Sequence, residues 1–123
     1  MTQLIFIFLG GGFGAITRFA MTRWLDTAHH TLSVGTIVSN VISCLILGFV
    51  IGYINRFPIS KEVQSFLLIG FCGGFSTFST FSYENYKHLL DGQYGWFAFN
   101  VLFSMAVCIG AIILGMRLIR FAY

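Results

Sequence analysis

The sequence predicts an all-α membrane protein of four transmembrane helices, whose third span is poorly suited to a regular helix. Three observations carry that expectation. Of the 123 residues, 57% are hydrophobic and only 9% charged, against roughly a quarter charged in an average soluble domain. Apolar stretches recur four times, each long enough to cross about 30 Å of hydrocarbon at about 1.5 Å per residue. The third stretch is interrupted by paired glycines and a run of hydroxyl side chains. This length leaves no room for a second domain, so residues 1–123 read as a single four-helix unit, and most enzymes are excluded. Seven basic side chains against four acidic ones, a net charge of +3, are too few and too scattered to neutralise a run of nucleic-acid phosphates.

The first span runs from Leu4 to Leu25. Nothing basic precedes Arg18, so it lacks the charged start of a secretory signal and is expected to stay as a helix. Its Gly10-Gly-Gly-Phe-Gly-Ala15 string mimics a dinucleotide fingerprint, but no strand feeds it. Gly10/Gly14, Gly48/Gly52 and Gly70/Gly74 instead have the small-x-x-x-small spacing that lets helices approach closely in lipid.

The second span, Leu32 to Ile54, places Ser33, Thr36, Asn40 and Ser43 at i, i+3, i+7 and i+10, on one helix face. The third, Val63 to Tyr83, holds Gly70-Phe-Cys-Gly-Gly-Phe-Ser-Thr-Phe-Ser-Thr-Phe-Ser82. Glycine costs a helix about 1 kcal/mol relative to alanine, and Ser and Thr compete for backbone groups, so a local break is expected. At that depth broken backbone is tolerated only inside protein or beside a water-filled cavity, where freed carbonyls can bind a cation. The fourth span, Tyr94 to Met116, repeats Asn100, Ser104 and Cys108 every four residues. The two polar stripes can line one path or can hydrogen-bond helix to helix; both readings stand.

The connections are short: Asp26 to Thr31 with His29 and His30, Asn55 to Glu62 with the only proline, and Glu84 to Gln93 with His88. The histidines receive no role. Cys44, Cys72 and Cys108 lie inside spans without a C-x-x-C pair and read as packing residues. One membrane side collects Arg56, Lys61, Arg117 and Arg120, the other Arg18, Arg23 and Lys87. Such a small Lys/Arg bias is compatible with a fixed topology set by the first helix and equally with insertion both ways round, which would make an antiparallel homodimer.

The chain has 15 Phe against 2 Trp and 5 Tyr, more phenylalanine than interfacial anchoring requires. Phe75, Phe78 and Phe81 recur every third residue among hydroxyl donors. A phenyl ring is negative on its face and positive at its edge, so edges beside an amide and hydroxyls can replace an anion's water without the trapping that a buried arginine would cause. Arg18 either sits in a vestibule that attracts anions or snorkels to the headgroups. Glu84 either caps the third span or stabilises a turn, and no second carboxylate or nucleophile-plus-base pair accompanies it.

Three strings, Gly10-Gly-Gly-Phe-Gly-Ala-Ile-Thr-Arg18, Gly35-Thr-Ile-Val-Ser-Asn40 and Gly70-Phe-Cys-Gly-Gly-Phe-Ser-Thr-Phe-Ser-Thr-Phe81, occur in that order in a four-span chain of this size. On these the sequence resembles the Fluc (CrcB) fluoride channels nearly end to end. The resemblance implies an antiparallel, dual-topology homodimer in the bacterial inner membrane, a broken third helix, two fluoride pathways and a structural sodium ion at the dimer centre. It places Phe78 and Phe81 at the paired phenylalanines that face fluoride, Asn40 at the pore asparagine and Arg18 near the vestibule. Thr36, Ser79, Thr80 and Ser104 match a polar track, while Gly73 and Ser76 match the break whose carbonyls hold sodium. Ser76 stands where such channels usually have threonine, Ser43 where they have glycine and Asn100 where a tyrosine is expected.

The resulting expectation is a channel, not an enzyme, that lets fluoride leave passively and so confers fluoride resistance. A small dual-topology multidrug or guanidinium exporter would need an acidic residue in its first helix, and Leu4 to Leu25 has none. A non-transporting assembly subunit would give no reason for hydroxyls threaded through phenylalanines.

Overall fold

The computed structural model describes residues 1–26 and 32–122; the His29–His30 pair lies outside them. Among the described residues four helical runs are long and apolar enough to cross a membrane. The first is α1 (Thr2–Leu25) and the second α2 (Val34–Ile54). The third comprises α3 (Lys61–Gln64), a π-helical segment (Ser65–Cys72), α4 (Gly73–Phe75) and α5 (Phe78–Leu90). The fourth is α6 (Tyr94–Ala122). Short connections make successive crossings alternate in direction.

Helix runs on past the apolar stretch at several ends, farthest at two of them. Residues 84–90, expected as connection, continue α5 to Leu90, and α6 extends beyond Met116. A helix need not end where hydropathy does, because polar residues also form helix once the ladder is established. Lys87 and His88 in the last turn of α5 suit the negative end of its dipole. The helix stops at Gly92, whose φ of 67° lies in the left-handed region that closes helix ends. The Gln93 N–H then donates to the His88 carbonyl at 2.8 Å. Asp26 caps α2 from outside it, accepting from the Gly35 N–H at 2.9 Å and from the Ser33 hydroxyl at 3.1 Å, which places a carboxylate at a positive helix end.

Two glycine seams hold the runs together. Along α1, a methyl group at Gly10 would overlap the Phe66 carbonyl oxygen, and one at Gly14 the Phe71 carbonyl oxygen. Between α2 and α6, methyls at Gly48 and Gly115 would overlap the carbonyl oxygens of Ile112 and Leu45. Backbone touches backbone in both seams, the close approach that small residues permit in lipid.

The interior is correspondingly polar. Thr36, Ser39, Ser43, Thr77, Asn85, Asn100 and Ser104 are buried, whereas Leu4, Phe8, Ile16 and Phe19 face outward. Lipid tails are as apolar as leucine, so cohesion comes from packing and interhelical hydrogen bonds rather than from hiding hydrocarbon. Ser43 supplies one such bond, donating from α2 to the Cys72 carbonyl at 2.9 Å.

Candidate functional site

Between α4 and α5 the backbone leaves helical geometry. Ser76 adopts φ −77°, ψ 159° and Thr77 φ −148°, ψ 115°. The Ser76 N–H still donates to the Cys72 carbonyl at 3.0 Å, but the next donor is diverted. The Thr77 N–H donates to Asn40 Oδ1 at 2.7 Å, and Asn40 Nδ2 donates to the Thr77 carbonyl at 3.3 Å. A primary amide offers the same acceptor and donor as a peptide group, so Asn40 stands in for the missing helical partners and satisfies backbone that water cannot reach. Its second amide hydrogen has no partner among the described residues.

Thr77 then caps α5. Its Oγ1 accepts from the Thr80 N–H at 3.2 Å and donates to Thr80 Oγ1 at 3.1 Å, and Ser79 Oγ lies 3.3 Å away. The positive end of the α5 dipole and its first-turn N–H groups therefore sit at the joint.

Beside the joint lies a cavity of about 280 Å³. Asn40, Ser76, Thr77, Phe78 and Phe81 line it together with Ser104 and Met105 of α6 and the thiols of Cys44 and Cys108. None of its lining side chains carries a formal charge. The Phe78 and Phe81 rings are 6.2 Å apart, tilted by 40°; Phe81 is half-buried, whereas Phe78 is 81% exposed on the single chain.

Five of the expected site residues, Asn40, Ser76, Phe78, Phe81 and Ser104, thus meet at one cavity. The others do not line it. Thr36 is buried but donates to Glu84 Oε1 at 2.6 Å, tying α2 to α5. Glu84 is accordingly an acceptor between helices. Ser79 and Thr80 are exposed on the first turn of α5. Arg18 reaches from α1 to the joint, where Nη1 donates to the Ser76 carbonyl at 3.3 Å.

Gly73 is exposed, and a methyl group there would meet nothing within 4 Å. With the Thr77 N–H turned to Asn40, the Gly73 carbonyl lacks its i+4 donor. Carbonyl oxygens freed in this way suit a hard cation such as sodium. The Gly73 carbonyl is an oxygen of that kind, whereas the Ser76 carbonyl already accepts from the Arg18 guanidinium.

The fourth-span stripe divides. Ser104 lines the cavity, but Asn100 lies behind its wall, bonded to Asn85, a residue the sequence reading did not single out. Thr77 was likewise read only as one hydroxyl among five. A cap spacing of Thr77 to Thr80, and an amide at Asn85 one turn beyond Phe81, are the signals that could have marked them.

These features define a multi-pass membrane protein whose helices line an uncharged, mostly apolar cavity that carries a few polar groups at a helix N-terminus. Residues 5–116 match the family described as CrcB-like protein, Camphor Resistance (CrcB). Similar proteins include two named Fluoride-specific ion channel FluC: that of Bacteroides fragilis, 39% identical over 119 residues covering 94% of each chain, and that of Pyrococcus horikoshii, 39% identical over 116 residues covering 93% of each. A third of that name, from Gloeothece citriformis, is 43% identical over 96 residues, 76% of this chain and 77% of its own. The chain belongs to the CrcB family.

Proposed function

We propose that this chain is a fluoride-selective channel that lets fluoride leave the cytoplasm passively, and that it works as an antiparallel, dual-topology homodimer in the bacterial inner membrane. The observation that carries the reading is the cavity at the joint, where Asn40, Phe78 and Phe81 meet the N-terminus of α5 with no charged side chain among the lining residues. A small anion must give up water to enter. The spare Asn40 amide hydrogen, the first-turn dipole and the two phenyl rings replace that water with neutral, fixed partial charges. A full positive charge in the lining would hold the ion too strongly to release it. Arg18, one contact away at the Ser76 carbonyl, attracts anions to the joint without lining the cavity. Family relatives named as fluoride channels support the same ion.

What the single chain leaves bare supports the dimer. Phe78 is 81% exposed at a membrane depth where the cavity beside it needs a second wall. The joint, with Ser76 and Thr77 extended, acts as the break in the third span, and the carbonyls of Gly73 and Ser76 from two copies would hold sodium at the centre. That ion would supply a fixed positive charge bridging the copies. Residues 1–123 then form one four-helix domain per copy, and the Thr36, Ser79 and Thr80 hydroxyls extend the polar track from the cavity.

Purified protein in liposomes should release fluoride readily and chloride barely. Equal rates for both ions would overturn the reading. An exporter would require a proton or drug gradient for flux, and an assembly subunit would show none alone.

A further inference from the structure

Behind the cavity wall, three side chains and one carbonyl form a chain of hydrogen bonds. Ser104 Oγ donates to Asn100 Oδ1 at 3.2 Å, Asn100 Nδ2 donates to Asn85 Oδ1 at 3.1 Å, and Asn85 Nδ2 donates to the Phe81 carbonyl at 2.8 Å. Asn85 and Asn100 are 4% and 2% exposed. The direction of this chain is not free. A carbonyl oxygen carries no hydrogen, so Asn85 must turn its NH₂ toward Phe81 and its oxygen toward Asn100. Asn100 must then turn its NH₂ toward Asn85 and its oxygen toward Ser104. A hydroxyl has one proton, and Ser104 has to give it to Asn100.

Flipping either amide alone sets oxygen against oxygen, and flipping both leaves the Phe81 carbonyl facing an oxygen. Those arrangements cost the desolvation of buried polar groups. The orientation of Ser104 is therefore set three bonds away, by the backbone of Phe81, whose ring lines the same cavity.

We propose that Asn85 and Asn100 are positioning residues that lock the Ser104 proton into the protein, so that Ser104 shows the cavity its lone pairs. One wall of the cavity, with Asn40 and the start of α5, then donates hydrogen bonds, while the Ser104 wall accepts them. Ser104 does not bind the anion directly. It holds a water molecule that donates one hydrogen to Ser104 and the other to the ion, so the ion crosses this point with part of its hydration kept. This rests on the fluoride-channel reading.

The test is a double-mutant cycle on the full chain in liposomes, reading fluoride efflux with chloride as control. Asn85→Leu releases Asn100 to rotate and unlocks Ser104. It should slow efflux about fivefold, the loss of about one hydrogen bond. Ser104→Ala should cost about the same, and the pair together no more than either alone, because Asn85 acts through Ser104. Asn85→Ser, whose hydroxyl can donate to the Phe81 carbonyl and accept from Asn100, should keep at least about half the wild-type rate.

Losses that multiply in the double variant overturn the proposal, as does wild-type flux in Asn85→Leu or failure of Asn85→Ser to rescue. If Asn85→Leu does not assemble, Asn85→Ala takes its place in the cycle with the same expectations. Wild-type protein that releases no fluoride overturns the channel reading and the proposal together, whereas a conducting wild type with independent losses overturns the relay alone.

Discussion

The seam between α2 and α6 and the joint between α4 and α5 both need backbone to come close to something other than its own helix, and they reach this by opposite means. In the seam, side chains are deleted. Gly48 and Gly115 let the two helices touch backbone to backbone while each keeps its hydrogen-bond ladder. At the joint, side chains are added. Asn40 supplies an amide to Thr77 in both directions, and the Thr77 hydroxyl supplies the cap that starts α5. The seam produces contact, with no room for even a methyl group at Gly48 or Gly115. At the joint, the Thr77 N–H leaves the helical ladder for Asn40, and a cavity lined by Asn40, Ser76 and Thr77 lies beside it. If the proposed function holds, stability and permeation rest on different residues, and substitutions should separate them.

The sharpest break in that comparison comes from Asn40→Asp. A carboxylate can still accept from the Thr77 N–H, but it places a negative charge beside an anion's path. At about 4 Å and an effective dielectric near 20 the repulsion is about 4 kcal/mol, so fluoride efflux should fall about a thousandfold. The elution position on size exclusion should not change. A rate within tenfold of wild type would remove Asn40 from the pathway.

Gly48→Val should do the reverse. It forces a side chain onto the Ile112 carbonyl, an overpacking that costs about 3 kcal/mol. Lower yield and an earlier unfolding midpoint in denaturing detergent should appear, with surviving protein conducting normally. Phe81→Ile removes a ring from the cavity while keeping apolar bulk, and about a tenfold slower efflux with unchanged stability is expected.

Ser39→Ala should have the smallest effect. The Ser39 side chain is fully buried, and Oγ has no hydrogen-bond partner among the described residues. Removing it should shift stability by no more than about 0.5 kcal/mol, toward greater stability, in the same unfolding assay.

How much of this was legible beforehand differs between the two regions as well. The seam could be read directly, because small-x-x-x-small spacing is a local pattern and Gly48/Gly52 and Gly10/Gly14 carry it on single helices. Its partners could not be read, since nothing in Gly48 names Ile112. At the joint, glycine and hydroxyl density marked residues 70–82 as poor helix, and the periodic stripe marked Asn40 as polar at depth. Their meeting required tertiary structure, because 37 positions separate Asn40 from Thr77. The partners of Thr36 and Asn100 were hidden for a related reason. Periodicity finds the face on which a polar residue lies but not which neighbour occupies that face, and here Glu84 and Asn85 do.

The bond between Asn85 and Asn100 also bears on the order in which the protein is made. Only 15 positions separate the two amides, and just Asp91, Gly92 and Gln93 lie between α5 and α6. A nascent hairpin can close this bond as soon as its second arm enters the bilayer, before α2 has found its place. Two asparagines that would each be costly alone in hydrocarbon enter already paired. The cavity, which takes part of its lining from Ser104 and Met105 of α6, can close only after that last helix has been made.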